Sequence, residues 1–276
     1  MVGSRGATFS EVFRVEGAYN SHRGSLPAQV GWPVQETKPR VGCAGWSLPR
    51  RAAHLFPVEG SHLERYAQVF SCVEINSSFY RQHLRKTYVR WAQSVPESFR
   101  FSIKMPRLIT HTHGLEGCER ALGTFLDEAD GLGDRLGCIL VQLPPGLELA
   151  VPTVLRFFSQ LRNRTPAHIV CEPRHRSWFT AQGRDVLDGA GVSPVWADPI
   201  PVADAEPFQP TGMLYCRLHG SPRTYYSSYG DGVLDAMAAK LQKAVTLGEP
   251  AWCIFDNTAA GHAVPDAQNL IRRLEP

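Results

Sequence analysis

The 276-residue chain contains no apolar run long enough to cross a bilayer, about eighteen residues, so no segment reads as a membrane span. Its start, Met1 to Asn20, lacks the apolar core of a secretory leader, and a cytoplasmic setting is the expectation. An excess of one charge is missing too. Lys and Arg number 29 against 26 Asp and Glu, and the resulting +3 is too mild for a nucleic-acid footprint, so any preference for anions must be local. The seven cysteines include no CxxC pair, and no Cys/His spacing suits structural zinc. Their odd number, and the position of Cys43, Cys72, Cys138, Cys171, Cys216 and Cys253 inside apolar runs, point to reduced, buried thiols. Neither a glycine-rich dinucleotide fingerprint after a strand nor a Walker motif is present, so no nucleotide cofactor is indicated.

What the chain does have is a recurring unit. Residues 1–38 mix Gly, Ser, Pro and charge without periodicity and read as an extension, leaving 39–276 as the domain. Eight short apolar runs follow: Val41–Trp46, Cys72–Asn76, Phe99–Lys104, Gly137–Leu143, His168–Glu172, Val195–Asp198, Met213–His219 and Ala251–Asp256. Most are apolar nearly throughout, as strands covered on both faces are. Helical signals lie between them. Ser61-His-Leu-Glu64 is a capping box opening a helix toward Phe70, and Val151-Pro152 places proline in a first turn. Val233, Leu234, Met237, Ala238, Leu241 and Val245 form one amphipathic stripe over 231–247. Strands alternating with helices predict a parallel α/β sheet, and eight units favour a closed (β/α)8 barrel of the TIM type over a doubly wound sheet. The prolines within Pro199–Pro210 rule out an ordinary helix after the sixth strand, so that unit is expected to be degenerate.

The C-terminal ends of such strands surround one mouth, where chemistry is normally found. Here those ends carry Glu74 and Asn76, Lys104, Gln142, Glu172 and Arg174, Asp198, Arg217 and His219, then Asp256 and Asn257. Charge is costly to bury unless paired, so this many ionisable groups favour a site over a purely structural barrel, although salt-bridge layers could claim some of them. Glu74/Asn76, Glu172/Arg174 and Arg217/His219 are each two apart and share a strand face. Lys104 taken alone could equally be a snorkelling surface lysine. Asp198 could merely start a turn, and Asp256-Asn257-Thr258 could cap the last helix. His111-Thr-His113 lacks nearby carboxylates at metal spacing and reads as exposed loop. Tyr225, Tyr226 and Tyr229, with Arg223, lie in a polar loop after the seventh strand that could stack on a sugar or base, or simply pack.

Several ordered motifs make the chain resemble the YecE-like proteins, the domain-of-unknown-function 72 family. They include Val41-Gly-Cys-Ala-Gly-Trp46, Val73-Glu-Ile-Asn-Ser-Ser-Phe-Tyr80, Phe101-Ser-Ile-Lys-Met-Pro-Arg107, Gln142-Leu-Pro-Pro145, Glu172-Pro-Arg-His-Arg-Ser-Trp178, Cys216-Arg-Leu-His-Gly220 and Phe255-Asp-Asn-Thr258. The resemblance spans Val41 to Leu274 and implies a (β/α)8 barrel with Glu74, Asn76, Lys104, Glu172, Arg174, Arg217, His219 and Asn257 in a polar pocket. It implies no particular activity. Asp256 stands where the family pattern commonly has a second Asn, and Pro173 is also a departure.

The leading functional expectation is an enzyme of hydrolase or lyase type acting on a polar anionic substrate at a phosphate or sugar centre. In that scheme Lys104, Arg174 and Arg217 clamp the anion, and Glu74 and Glu172 are the acid and base. His219 assists proton transfer, while Asn76, Gln142, Asp198, Asn257, Tyr226 and Tyr229 contact substrate. A divalent-metal version would use Glu74, Glu172, His219 and Asp256 as ligands, against the repulsion of neighbouring Lys and Arg. A non-catalytic module binding phosphate ligands or single-stranded nucleic acid is the remaining class.

Overall fold

The computed structural model describes residues 38–208 and 211–275, so the expected N-terminal extension lies outside the described residues apart from Lys38. The eight apolar runs form eight strands: β1 (Arg40–Cys43), β2 (Cys72–Ile75), β3 (Arg100–Lys104), β4 (Leu136–Gln142), β5 (His168–Glu172), β6 (Ser193–Asp198), β7 (Leu214–Leu218) and β8 (Ala251–Phe255). From β2 to β8 each pairs in parallel with the next, and β8 pairs with β1. The remaining seam, between β1 and β2, is joined by a bridge from Ala44 to Glu74 and by a hydrogen bond from Gly45 N to Glu74 O (2.9 Å), giving a (β/α)8 barrel.

The helices are α1 (His62–Ala67), α2 (Arg85–Gln93), α3 (Glu119–Ala129), α4 (Val151–Arg162), α5 (Ala181–Gly189), α6 (Asp231–Thr246) and α7 (Ala263–Leu274). Ser61 and Glu64 make the expected reciprocal capping box on α1, which ends at Ala67, short of Phe70. Proline occupies the first turn of α4. On α6, Leu234, Met237, Ala238 and Leu241 are buried, but Val233 points to solvent and does not belong to the stripe. Among the described residues no helix lies between β6 and β7, where the prolines interrupt any helical ladder.

Alternation along the strands divides the apolar residues into two sets. Val41, Val73, Ile75, Phe101, Ile103, Ile139, Val141, Cys216 and Phe255 belong to the large core shared with the helices. Cys72, Cys138, Leu140, Val170, Val195, Ala197, Met213, Tyr215, Trp252 and Ile254 form a separate cluster that fills the barrel interior. Two glycines make this packing feasible. A Cβ at Gly42 would come within 2.2 Å of the Cys72 carbonyl oxygen across the seam, and one at Gly137 within 2.8 Å of the Trp252 ring. All seven cysteines are free and buried, as expected.

Candidate active site

The two-residue repeat that lines the barrel continues upward into the ionisable groups. On β7 and just beyond it, Met213 and Tyr215 lead to Arg217 and then His219. Likewise Cys72 leads to Glu74, Cys138 and Leu140 to Gln142, Val170 to Glu172, and Ile254 to Asp256. The inner wall thus changes from apolar to charged at the C-terminal end of the strands.

Arg217 is the centre of this layer. Its Nε and Nη2 grip the two oxygens of Glu74 (3.0 and 2.7 Å), Nη1 donates to Glu172 Oε2 (2.6 Å), and Nη2 also donates to Asp256 Oδ2 (3.0 Å). A guanidinium is suited to this role, since its planar fork meets carboxylates in pairs. Glu172 Oε1 accepts from Gln142 Nε2 (3.0 Å) and from Arg174 Nε and Nη2 (3.1 and 2.8 Å). The His219 ring spans the other two carboxylates, with Nδ1 3.1 Å from Asp256 Oδ2 and Nε2 3.4 Å from Glu172 Oε1. Below Glu74, the Tyr215 hydroxyl lies 3.0 Å from Glu74 Oε2 and 2.8 Å from Ser102 Oγ.

Exposure rises in one direction through the cluster. The Arg217 and Glu74 side chains are 0% exposed, Asp256 is 9% and Arg174 is 25% exposed. The floor is therefore dry and the rim is wet. Although burial opposes it, the charges of Arg217 and His219 hold Glu172 well below the ordinary carboxylate range. Burial likewise opposes, and Arg217 and His219 likewise impose, a lowered value at Asp256. For His219, burial favours the neutral ring, but Glu172 and the hydrogen bond to Asp256 win and raise it.

Lys104 differs from every other cation in the layer. It is buried, and its Nζ stands 4.3 Å from the centroid of the Phe79 ring, with no hydrogen bond or ion pair among the described residues. Burial, then the Arg217 charge, pushes its ammonium down to about 8. The surface-lysine reading is thus overturned. His111 packs edge-on against the same Phe79 ring at 5.0 Å, and burial together with Lys104, Arg107 and Arg174 lowers it, so the ring is neutral at neutral pH. It is half-buried and not simply exposed loop; a π-turn over Leu108–Thr112 carries it to the end of β3.

Several further expectations change. Arg217 is no substrate clamp, because its donors are spent on three carboxylates. Glu74 and Glu172 are ion-pair partners rather than a free acid/base couple. Asn257 does not point its amide at a ligand: Nδ2 donates to Ser227 O (2.9 Å) and Asp266 Oδ2 (2.7 Å), tying the loop over 220–230 to α7. The Tyr229 hydroxyl accepts from Gly220 N (2.8 Å) and donates to Asp198 O (3.1 Å), so it packs the loop. Tyr226 is stacked beneath Arg223, 4.1 Å away, on the outside. The tyrosine at the site is Tyr225, whose ring meets His219 edge-on at 5.9 Å. Asp256 is not a helix cap, since α7 starts at Ala263. Asn76 lies past the end of β2 in a helical turn, so strand alternation no longer aims it with Glu74. Its Oδ1, like Asp198 Oδ2, is buried without a hydrogen-bond partner.

Tyr215, His111 and Tyr225 were not anticipated at the site. The alternation Tyr215–Arg217–His219 was a usable signal for the first, whereas His111 and Tyr225 stood out only as members of a histidine pair and a loop tyrosine cluster, with nothing to choose them over their neighbours. The donors proposed for a metal do not fit one: Glu74, Glu172 and Asp256 converge on a guanidinium, and His219 lies between two of them with its affinity for a proton raised by Glu172 and Asp256. Among the described residues no group of three or more His, Cys, Asp or Glu is placed to hold an ion. Beside the mouth, between the ends of β1 and β8, a cavity of about 280 Å³ is lined in part by Cys43, Gly45 and Thr258. Burial pushes the Cys43 thiol up to about 12, so it is no nucleophile there.

Fold and site together define a TIM-type barrel with an arginine-centred charge cluster closing its interior beneath a wetter cationic rim. The chain belongs to the family described as protein of unknown function DUF72, matching over residues 40–276. It is similar to the UPF0759 protein YecE of Escherichia coli K12, 29% identical over 174 residues that cover 60% of this chain and 61% of that protein. It also matches the UPF0759 protein YunF of Bacillus subtilis, 25% identical over 51% of this chain and 52% of that protein. The chain thus spans less than two thirds of the length of these curated relatives. A crystal structure of a DUF72 family protein from Thermotoga maritima superposes with a TM-score of 0.72 at 23% identity, covering 87% of this chain and all of that one, which supports the fold. No helix among the described residues is long and apolar enough to cross a membrane.

Proposed function

We propose that the chain is an enzyme that binds a small, polar, anionic substrate at the barrel mouth and acts on it by lyase-type proton transfer through Lys104 and His111. The observation that carries this reading is Lys104, a buried cation with no carboxylate in ion-pair contact among the described residues. A lysine kept only for stability would be ion-paired or replaced by an apolar residue. The local charge supports an anion. Two guanidiniums, Arg217 and Arg174, the Lys104 ammonium and the His219 ring, whose protonated form Glu172 and Asp256 favour, face three carboxylates, Glu74, Glu172 and Asp256, so with the ring protonated one positive charge is left over. With Glu172 held ionised and Glu74 fully buried in the grip of Arg217, a two-carboxylate hydrolysis has no acid that substrate can reach, whereas Lys104 and a neutral His111 are both able to exchange protons near neutral pH.

Calorimetric titration with inorganic phosphate and with glycerol 3-phosphate tests this. Binding is expected in the parent protein, weakened about tenfold or more in Lys104→Met and Arg174→Ala and unchanged in the outer-loop variant Arg223→Ala. No binding, or equal binding in all four proteins, removes the proposal.

A further inference from the structure

Resting on that reading of the mouth, we propose that Lys104 is a nucleophilic amine that forms an imine with an electrophilic carbonyl of the substrate, which is therefore an anionic aldehyde or ketone. Of the chain's five lysines, Lys38, Lys86 and Lys243 are exposed and Lys240 is half-buried over Trp196. Lys104 alone is buried, close enough to Arg217, Glu74, Asp256 and Glu172 to feel their charges. Among the described residues no acceptor ties up its N–H groups and no donor engages its nitrogen, and the face of Phe79 holds it in position without a hydrogen bond. Cationic neighbours and desolvation are the two means by which lysine amines are made nucleophilic at neutral pH, and both operate here.

The step balances with the groups present. The Nζ lone pair adds to the carbonyl carbon, and the C=O π pair moves to oxygen. The two Nζ protons then leave with that oxygen as one water, with the neutral His111 carrying them, and a C=N bond remains. Protonated, this imine withdraws electrons from an adjacent C–H or C–C bond, which is what a lyase-type reaction requires. Arg174, a quarter exposed, is placed to meet the anionic group.

Incubation of the intact protein with pyruvate, or with dihydroxyacetone phosphate, in sodium cyanoborohydride followed by peptide mass spectrometry reads the imine as a stable secondary amine. The expected result is a mass gain of one carbonyl compound less one oxygen on the peptide carrying Lys104, at least ~10-fold above that on any other lysine. It is absent in Lys104→Met and also in Lys104→Arg, which keeps the positive charge but presents no primary amine. No adduct with either compound, or labelling spread evenly over the lysines, overturns the imine. If phosphate binding that depends on Lys104 persists in that case, the anion site stands without it; if binding is lost too, both readings fall.

Discussion

Lys104 and Arg217 present the same problem, a cation inside a barrel, and resolve it oppositely. Arg217 is satisfied by three carboxylates, so removing it leaves them buried beside one another. Arg217→Met is expected to cost roughly 3–5 kcal/mol, read as a lowered urea midpoint. Lys104 has no partner to lose. Its folded-state value of about 8 lies below the ordinary value near 10.4, so the folded form binds its proton more weakly than the unfolded chain does. That penalty is full below about pH 8 and disappears as pH rises to about 10.4. Lys104→Met should therefore stabilise the protein by on the order of 1–3 kcal/mol at pH 7, with the gain vanishing above about pH 10.4. A variant that is less stable than the parent at pH 7 would mean that Lys104 contributes to the fold. Neither behaviour was legible in the sequence, where both residues simply ended apolar strands.

Strands β7 and β1 position the site in different ways. The register of β7 delivers Tyr215, Arg217 and His219 to one face, a pattern readable from alternation alone. By contrast β1 contributes little chemistry but closes the barrel, and Gly42 is what allows it to approach β2. The two close-packed glycines should respond unequally to alanine. Gly42→Ala meets a carbonyl oxygen that belongs to the backbone, whereas Gly137→Ala meets an indole ring that can tilt. Chemical denaturation should rank Gly42→Ala as the more damaging, with Gly137→Ala costing about 1–3 kcal/mol. The reverse order would mean that the β1–β2 seam contributes little to closure. The missing helix after β6 was legible because proline acts locally; the turn that brings His111 to the mouth was not, since no residue type marks it.

For the molecule as a whole, the cluster predicts a stability that falls on both sides of neutrality. Glu172 and Asp256 have folded values below their unfolded ones, so the stability they contribute is present above about pH 4 and is lost as pH falls through the folded values. His219 has the opposite sign. Its raised value contributes stability that is full below about pH 6.5 and is lost as pH rises through the folded value. Urea midpoints measured from acid to alkaline pH should show both limbs, and His219→Asn should flatten the alkaline one. The comparison is cleanest in a Lys104→Met background, because Lys104 contributes the opposite slope above about pH 8. An alkaline limb of unchanged steepness in His219→Asn would show that the imidazole is not protonated in the folded protein.

The order of residues by itself determined eight β/α units, the two-residue repeat that lines the barrel, the break after the sixth strand, the buried thiols and the gathering of polar groups at one end. These follow from local rules: periodicity, turn chemistry, and the direction in which successive side chains point. Only the tertiary structure decided which of those polar groups are partners and which are free. Arg217 finds Glu74 across 143 positions of chain and Glu172 across 45, so no window of sequence contains the pair. The energy of a charge depends on every dipole, charge and water around it in space, and that environment exists only once the barrel has closed.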